Sequence, residues 1–559
     1  MKVSELPYKR YTIEQGREDF ERFKAAASAA KSADDMLAAR DIWLKCYNDA
    51  QTAQTLSYCR FTLDTADEFY NGEVDYYDQT NPEFDKLCSE YADIMLSSPY
   101  RAELEKRLGS QLFRKLECRK KAFDPCIAEL AKEENGIVTE YTHLMAAMEF
   151  EFGGEKMPLS KLRGNLENAD RSVRKAAAEA MGRGLAAHKA ELDDIYDRLV
   201  HIRDREAKAM GYKDFVELGY YRMGRTDYTP EMIDAFRANV RNDLVPAVAE
   251  LKAGVASELG IDRVMYYDDG IYYSGGMPVP PDSKDEIFRL AREMYDDMDP
   301  EVGAFMRSMQ ENEAFDVESR NNKWGGGYCI AFNNFKQPFI LANFNGTSDD
   351  IDVITHEFGH ALAGSFMFRF GDPELDVGGM ETAECHSMSM EFLAWKYMDK
   401  FFGSDSSGYK RKHLLSALSF IPYGVIVDEF QHIVYRNPDM TPEERDKAYL
   451  ELERKYRPYI SFDGIPYLED GTRWQYQMHI YESPFYYIDY CLAQTVALGF
   501  LIKSQADYDD ALKSYLAFAK KGGTMSFGDL VRGAGLPTPF DDGALREISD
   551  KSLELAKSL

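Results

Sequence analysis

Residues 355–364, THEFGHALAG, set two histidines four positions apart, with a glutamate directly after the first. On an α-helix, positions i and i+4 lie on one face about one turn apart, so His356 and His360 can point at one ion. Glu357 is rotated from them by about 100° and can reach a water beside that ion. A zinc centre needs neutral imidazoles, a third protein ligand and one open position, and it lowers the pKa of bound water to about 7. A carboxylate next to that water can take its proton and pass it to a leaving amine. Only nine histidines occur in 559 residues, so the pairing is specific. The competing reading is a helix with two structural histidines. A small residue at 359 and a strand-rich approach weigh against it.

The third ligand has to come from elsewhere. A metzincin would carry a histidine six residues after His360, but that position is Phe366. Downstream, GGMETAECHSMSMEFLAW (378–395) offers Glu381, Glu384, His386 and Glu391. Glu384, Met388 and Glu391 share one helical face, and pattern favours Glu384 on a second helix crossing the first. Glu381 lies on a similar face. Glu391 can orient a ligand from behind. His386 reads as a packing residue.

Upstream lies NNKWGGGYCIAFNNFKQPFILANFNGTSDD (321–350). GYCIAF and PFILANF read as two strands, closed by GTSDD, with Thr347 or Ser348 capping the motif helix. The acidic residues that follow suit its N-terminal dipole. No GK[ST] follows Gly325–Gly327, so this is not a phosphate loop. It reads as a tight turn or a cleft loop that shapes substrate binding through Gly326, Gly327 and Tyr328. PFILANF, with Phe339, Leu341 and Ala342, offers an edge to which an extended peptide can add as a strand.

Further out, residues 1–250 read as almost continuous helix, with apolar residues every three to four positions. Clustered aromatics, glycines and prolines at 265–283 suggest turns and short extended segments. The remainder is helical. The expected fold is mainly α with one small mixed sheet, and the length implies more than one lobe. A formal net charge of −29 excludes nucleic acid as a partner, because phosphate would be repelled. Eight scattered cysteines with no CxxC pair read as reduced thiols. The first residues carry no apolar signal segment, and the longest apolar run, LLSALSFIPYGVIV (414–427), is too short for a bilayer. The expectation is a cytoplasmic protein with no membrane contact.

HEFGHAL, the glutamate 28 residues after its first histidine, the GYCIAFNNFKQPFILANFNGTSDD approach, DEFQHIVYRNP (428–438) and HIYESPFYYIDYCLAQ (479–494) together resemble the thimet oligopeptidase and oligoendopeptidase F family of zinc metallopeptidases. The likeness falls nearest the bacterial oligoendopeptidase F branch. It implies one Zn²⁺ per chain on His356, His360 and Glu384, with Glu357 as general base. It implies two helical lobes around a deep substrate channel, with the small sheet beside the zinc-binding helix. The lobes are expected at 1–200 and 201–559. It further implies that His479 and tyrosines among Tyr481, Tyr486, Tyr487 and Tyr490 stabilise the oxyanion. Tyr486 and Tyr490, one turn apart, can face the cleft together, while Tyr487 is rotated away. The expected partners are short unfolded peptides, cut at internal bonds. The rivals are a zinc metallocarboxypeptidase or dipeptidase, with Arg473 or Lys336 gripping a terminal carboxylate, and a peptide-binding protein that has lost catalysis.

Overall fold

The computed structural model describes residues 1–273, 278–375 and 378–559. Of the turn-rich 265–283 stretch, 274–277 lie outside these. The structure is mainly helical, as the periodicity predicts, and the chain gathers into two compact units. One unit comprises residues 1–123, 278–406 and 503–536; the other comprises 124–277, 407–502 and 537–559. The division therefore differs from a single boundary near residue 200, which falls inside the continuous helix Lys189–Ala209.

In the first unit, helix starts follow the local chemistry. Thr12 and Gln15 form a reciprocal capping box at helix Ile13–Ala29. The Asp67 carboxylate accepts the N–H groups of Phe69 and Tyr70 at helix Glu68–Ser97. The apolar faces of these helices meet around Trp43, on helix Ala33–Leu63. Its indole stacks on Tyr91 at 5.1 Å and takes Phe20 edge-on at 5.6 Å. Arg40, from the same helix, is buried and pairs with Asp372 at 2.8 Å and Glu374 at 2.6 Å. A buried guanidinium needs such partners. This one fixes the segment that leads into helix Met380–Leu393.

Among the described residues, strands form three small sheets. In the second unit, β1 (Phe150–Phe152) and β2 (Glu155–Met157) make a hairpin that interrupts the predicted N-terminal helical run. There too, β3 (Val264–Met265) pairs in parallel with β7 (Ile460–Ser461). In the first unit, β4 (Phe315–Glu318), β5 (Tyr328–Phe332) and β6 (Gln337–Phe344) make a mixed sheet in the order β4-β6-β5. The two strands read from sequence are β5 and β6, paired antiparallel with Cys329 opposite Ile340. β6, however, is the middle strand. Phe339, Leu341 and Ala342 are buried in it, and the edge strands are β4 and β5.

The second unit has its own core, where Trp474 stacks on Tyr481 and Tyr481 on Tyr141 at 3.9 Å. The apolar 414–427 run lies inside helix Ser406–Arg436, which carries Pro422 in its interior. No helix among the described residues is long and apolar enough to cross a membrane.

Candidate metal centre

Helix Asp349–Met367 carries the motif. Its entry is built by three side chains. The Thr347 hydroxyl accepts the Asp349 N–H. The Asp350 carboxylate reaches back to the N–H groups of Asn345 and Gly346, and Asn345 accepts from Thr347. Of the two expected caps, Thr347 makes the bond. Ser348 occupies the cap position without a side-chain cap bond. Phe358 anchors the far face by stacking on Tyr295 at 3.9 Å.

The crossing with helix Met380–Leu393 is set by Gly359. A Cβ there would lie 2.6 Å from the His386 carbonyl oxygen and 2.7 Å from the Ser387 Cα. Only glycine allows this backbone contact without displacement. The close approach brings His356, His360 and Glu384 together, with one ligand atom from each lying within 4.8 Å of the others. Glu384 Oε2 is 3.4 Å from His356 Nε2 and 3.6 Å from His360 Nε2. Tetrahedral ligands held at about 2.1 Å from a centre are about 3.4 Å apart, so the donor set fits a zinc-sized ion. The orientation fits as well. Glu391 Oε1 accepts from His356 Nδ1 at 2.6 Å, which turns Nε2 toward the group, and the Ser387 hydroxyl donates to Glu384 Oε2 at 3.0 Å. His386, the other nearby imidazole, packs against Phe518 at 5.1 Å and is not part of the group.

Electrostatics follow from burial and neighbours. Burial alone would lower the His356 pKa, but hydrogen bonds to Glu384 and Glu391 outweigh it and raise the value well above the ordinary range. Burial would raise Glu384, but bonding to both histidines holds it well below the carboxylate range. Glu357 belongs to neither set. Burial raises its pKa against the opposing pull of the two histidines. Its charge also reaches Cys329 on β5, whose thiol is raised first by burial and then by that charge. β5 therefore runs beside the motif helix.

Of the candidate substrate residues, Tyr328 is half-buried on β5, and its hydroxyl meets that of Thr62 at 2.5 Å. At Gly326 the Trp324 ring lies 2.0 Å from where a Cβ would be, so a side chain there requires that exposed ring to move. Asn343 donates to the carbonyls of Trp324 and Gly326 and holds this turn in place.

The second unit contains the aromatic cluster. His479 sits on helix Met478–Glu482, and Tyr490 on helix Tyr487–Ala506. Tyr486 lies in the turn between them. Phe485, at φ +67°, forces that turn and donates its N–H to Gln431 Oε1. The ring of His479 lies 5.8 Å from Tyr486 and 6.2 Å from Tyr490, and the Tyr490 hydroxyl donates to that of Tyr486 at 3.0 Å. Tyr487, expected to turn away, is nearest, edge-on to His479 at 5.0 Å. The expectation assumed one helix through 486–490, whereas the helix starts at Tyr487 after the left-handed Phe485. Tyr481 is fully buried core.

A model of the Peptidase M3 N-terminal domain matches residues 3–123, and the model of Peptidase family M3 matches 165–278 and 301–550. The chain belongs to peptidase family M3. Within M3, the chain is similar to oligopeptidase PepF of Bacillus subtilis (strain 168), at 22% identity over 408 residues. That alignment covers 70% of this chain and 59% of the relative's length. Solved M3-like structures resemble it over its whole length. PZ peptidase A with an inhibitor shares 40% identity at a TM-score of 0.94, covering 100% of this chain and 99% of that one. A structure described as an oligoendopeptidase F from Bacillus anthracis str. Ames shares 38% identity at a TM-score of 0.89, covering 100% and 98%.

Proposed function

We propose that this M3 chain is a zinc-dependent endopeptidase that hydrolyses internal bonds of short unfolded peptides. The observation that carries the reading is the convergence of His356, His360 and Glu384 at tetrahedral-ligand separations, with Glu357 next to His356 in a half-buried position. One Zn²⁺, held by the two Nε2 atoms and a Glu384 oxygen, would supply Lewis-acid activation of water and carbonyl. Glu357 takes the proton of the attacking water and delivers it to the leaving nitrogen. No side chain becomes covalently attached. The edge of β5, from Tyr328, pairs with the extended substrate backbone, which gives sequence-tolerant affinity, while Gly326 and Gly327 let the preceding loop stay close to the chain. His479 and the Tyr486–Tyr490 pair supply the hydrogen bonds to the oxyanion. A cytoplasmic setting agrees with eight free cysteines.

The test uses a peptide blocked at both ends, with metal content measured in parallel. Internal cleavage that is abolished by a chelator and restored by Zn²⁺ is the expected result. An intact blocked peptide beside a cleaved free one would favour the carboxypeptidase or dipeptidase reading instead. A chain that holds one metal per molecule and cleaves neither would be a binding protein.

A further inference from the structure

His479 is one of two histidines in the second unit whose surroundings lower the pKa; here the cause is burial. A neutral imidazole carries a single N–H, so its tautomer decides whether Nε2 donates or accepts. The neighbours of Nδ1 settle that choice.

Gln477 Nε2 lies 2.8 Å from His479 Nδ1. At the other end of the same amide, the Tyr423 hydroxyl lies 2.5 Å from Gln477 Oε1. An O–H···O bond spans about 2.5–3.0 Å and an N–H···O bond about 2.7–3.2 Å. The short contact therefore belongs to the amide oxygen, and the phenol is the donor to it. The amide nitrogen, which has no acceptor capacity, must then donate to Nδ1. That leaves Nδ1 bare and the imidazole proton on Nε2. Tyr423 is itself held. The Arg473 guanidinium lies 3.8 Å from its ring centroid, and Tyr487 meets the ring edge-on at 5.7 Å. A cation over the ring polarises the phenol toward donation. The order Arg473, Tyr423, Gln477, His479 is a chain of side chains that each fix the next.

We propose that Gln477, oriented by Tyr423, is a positioning residue that holds His479 as the Nε2–H tautomer, so that its Nε2 can only donate a hydrogen bond to a substrate oxygen and cannot act as a base. The catalytic consequence rests on the reading of His479 as an oxyanion donor; the tautomer itself does not.

The experiment labels the full chain with ¹⁵N-histidine and records long-range ¹H–¹⁵N correlations, identifying the His479 signals by their loss in His479→Ala. Protonated Nε2 with bare Nδ1 is expected in the wild type, and a proton on Nδ1 would overturn the proposal. Gln477→Glu keeps the side-chain shape but turns the donor into an acceptor, so a proton should appear on Nδ1. A Nδ1 that stays bare in that variant also overturns it. For the kinetic arm, Gln477→Met should lower kcat on the order of tenfold with KM unchanged, and should add nothing in a His479→Ala background. A full additional loss in that background would show that Gln477 acts by another route and would sink its positioning role. If His479→Ala leaves kcat unaltered while the NMR pattern holds, the oxyanion reading fails and the tautomer assignment stands.

Discussion

Two groups of half-buried histidines in this chain sit in opposite electrostatic environments. In the first unit, His356 is flanked by Glu384 and Glu391, whose hydrogen bonds overcome burial and raise its affinity for a positive charge. In the second unit, His479 lies among Gln477, Tyr486, Tyr487 and Tyr490, and burial lowers its affinity for a proton. The first environment suits imidazoles that bind a cation. The second suits a neutral donor that meets a developing negative oxygen without bringing a full charge. The same side chain is thus assigned to two tasks by its neighbours alone. The local backbone differs as well. The metal group is placed by two regular helices in backbone contact at Gly359, whereas the aromatic group is placed by an irregular turn at Phe485.

The sharpest way to break this contrast is to remove the carboxylate read as the general base. Glu357→Gln keeps volume and leaves His356, His360 and Glu384 in place. The variant should retain one metal per chain while kcat falls by about 10²–10⁴. Metal content and turnover measured on the same sample decide it. Near-normal turnover would remove Glu357 from the role of base.

A smaller but still large effect is expected in the second group, where the hydroxyl chain has a direction. Tyr490 donates its hydroxyl hydrogen to Tyr486, so Tyr490 supports Tyr486 and the substrate contact is assigned to Tyr486. Tyr486→Phe should lower kcat by about 10²–10³, the usual loss for one oxyanion donor. Tyr490→Phe removes only the polarising partner, and its kcat should fall by clearly less. The reverse order would assign the contact to Tyr490.

The metal group can then be probed without touching a ligand. Glu391→Ala frees His356 Nδ1 and should weaken metal affinity by about 10–100-fold, read by competition with a chromogenic chelator. Gly359→Ala pushes the two helices apart and should lower stability by about 1–3 kcal/mol, measured by urea unfolding. If either variant binds metal as the wild type does, the two helices are less tightly coupled than their contact implies.

How much of this was legible in the sequence depended on whether geometry was local. The i, i+4 spacing of His356 and His360 is a property of one helix, and the strands at 328–332 and 337–344 were visible from their own residues. Glu384 was legible only as the best of several carboxylates on the next helix, because the crossing is fixed by backbone contact at Gly359, which spacing does not reveal. Strand order was not legible. β4 lies before the glycine-rich loop and pairs in parallel with β6, so β6 becomes the middle strand and the edges are β4 and β5. The edge-on contact of Tyr487 with His479 was not legible, because the turn that brings the two together is made by the left-handed conformation at Phe485, and phenylalanine carries no signal for that conformation. The Gln477 contact to His479 was equally hidden, since its orientation depends on Tyr423 from a helix more than fifty residues earlier.

The last consequence of the contrast concerns acid. His432 is a fully buried histidine of the second unit. Its Nε2 lies 3.0 Å from the Tyr220 hydroxyl and 3.6 Å from Asp428, and its ring lies 5.0 Å from Phe485. Burial first, then the positive charges of Arg237, Arg436 and Arg225, hold its pKa well below the ordinary 6.5. The unfolded chain takes up a proton near that ordinary value, while the folded chain resists it. Its neutral state therefore contributes stability that is fully present above about pH 6.5 and is lost as pH falls below it. The loss approaches about 1.4 kcal/mol per pH unit until the folded value is reached. His432→Gln removes the titration, so comparing it with the wild type cancels the many carboxylates that also respond to acid. Urea midpoints measured from about pH 7 down to about pH 5 should show the wild type losing ground to the variant at that slope. A stability difference that stays flat with pH would mean that His432 takes up a proton as readily in the folded chain as in the unfolded one, and the division between cation-binding and neutral histidines would not extend beyond His479.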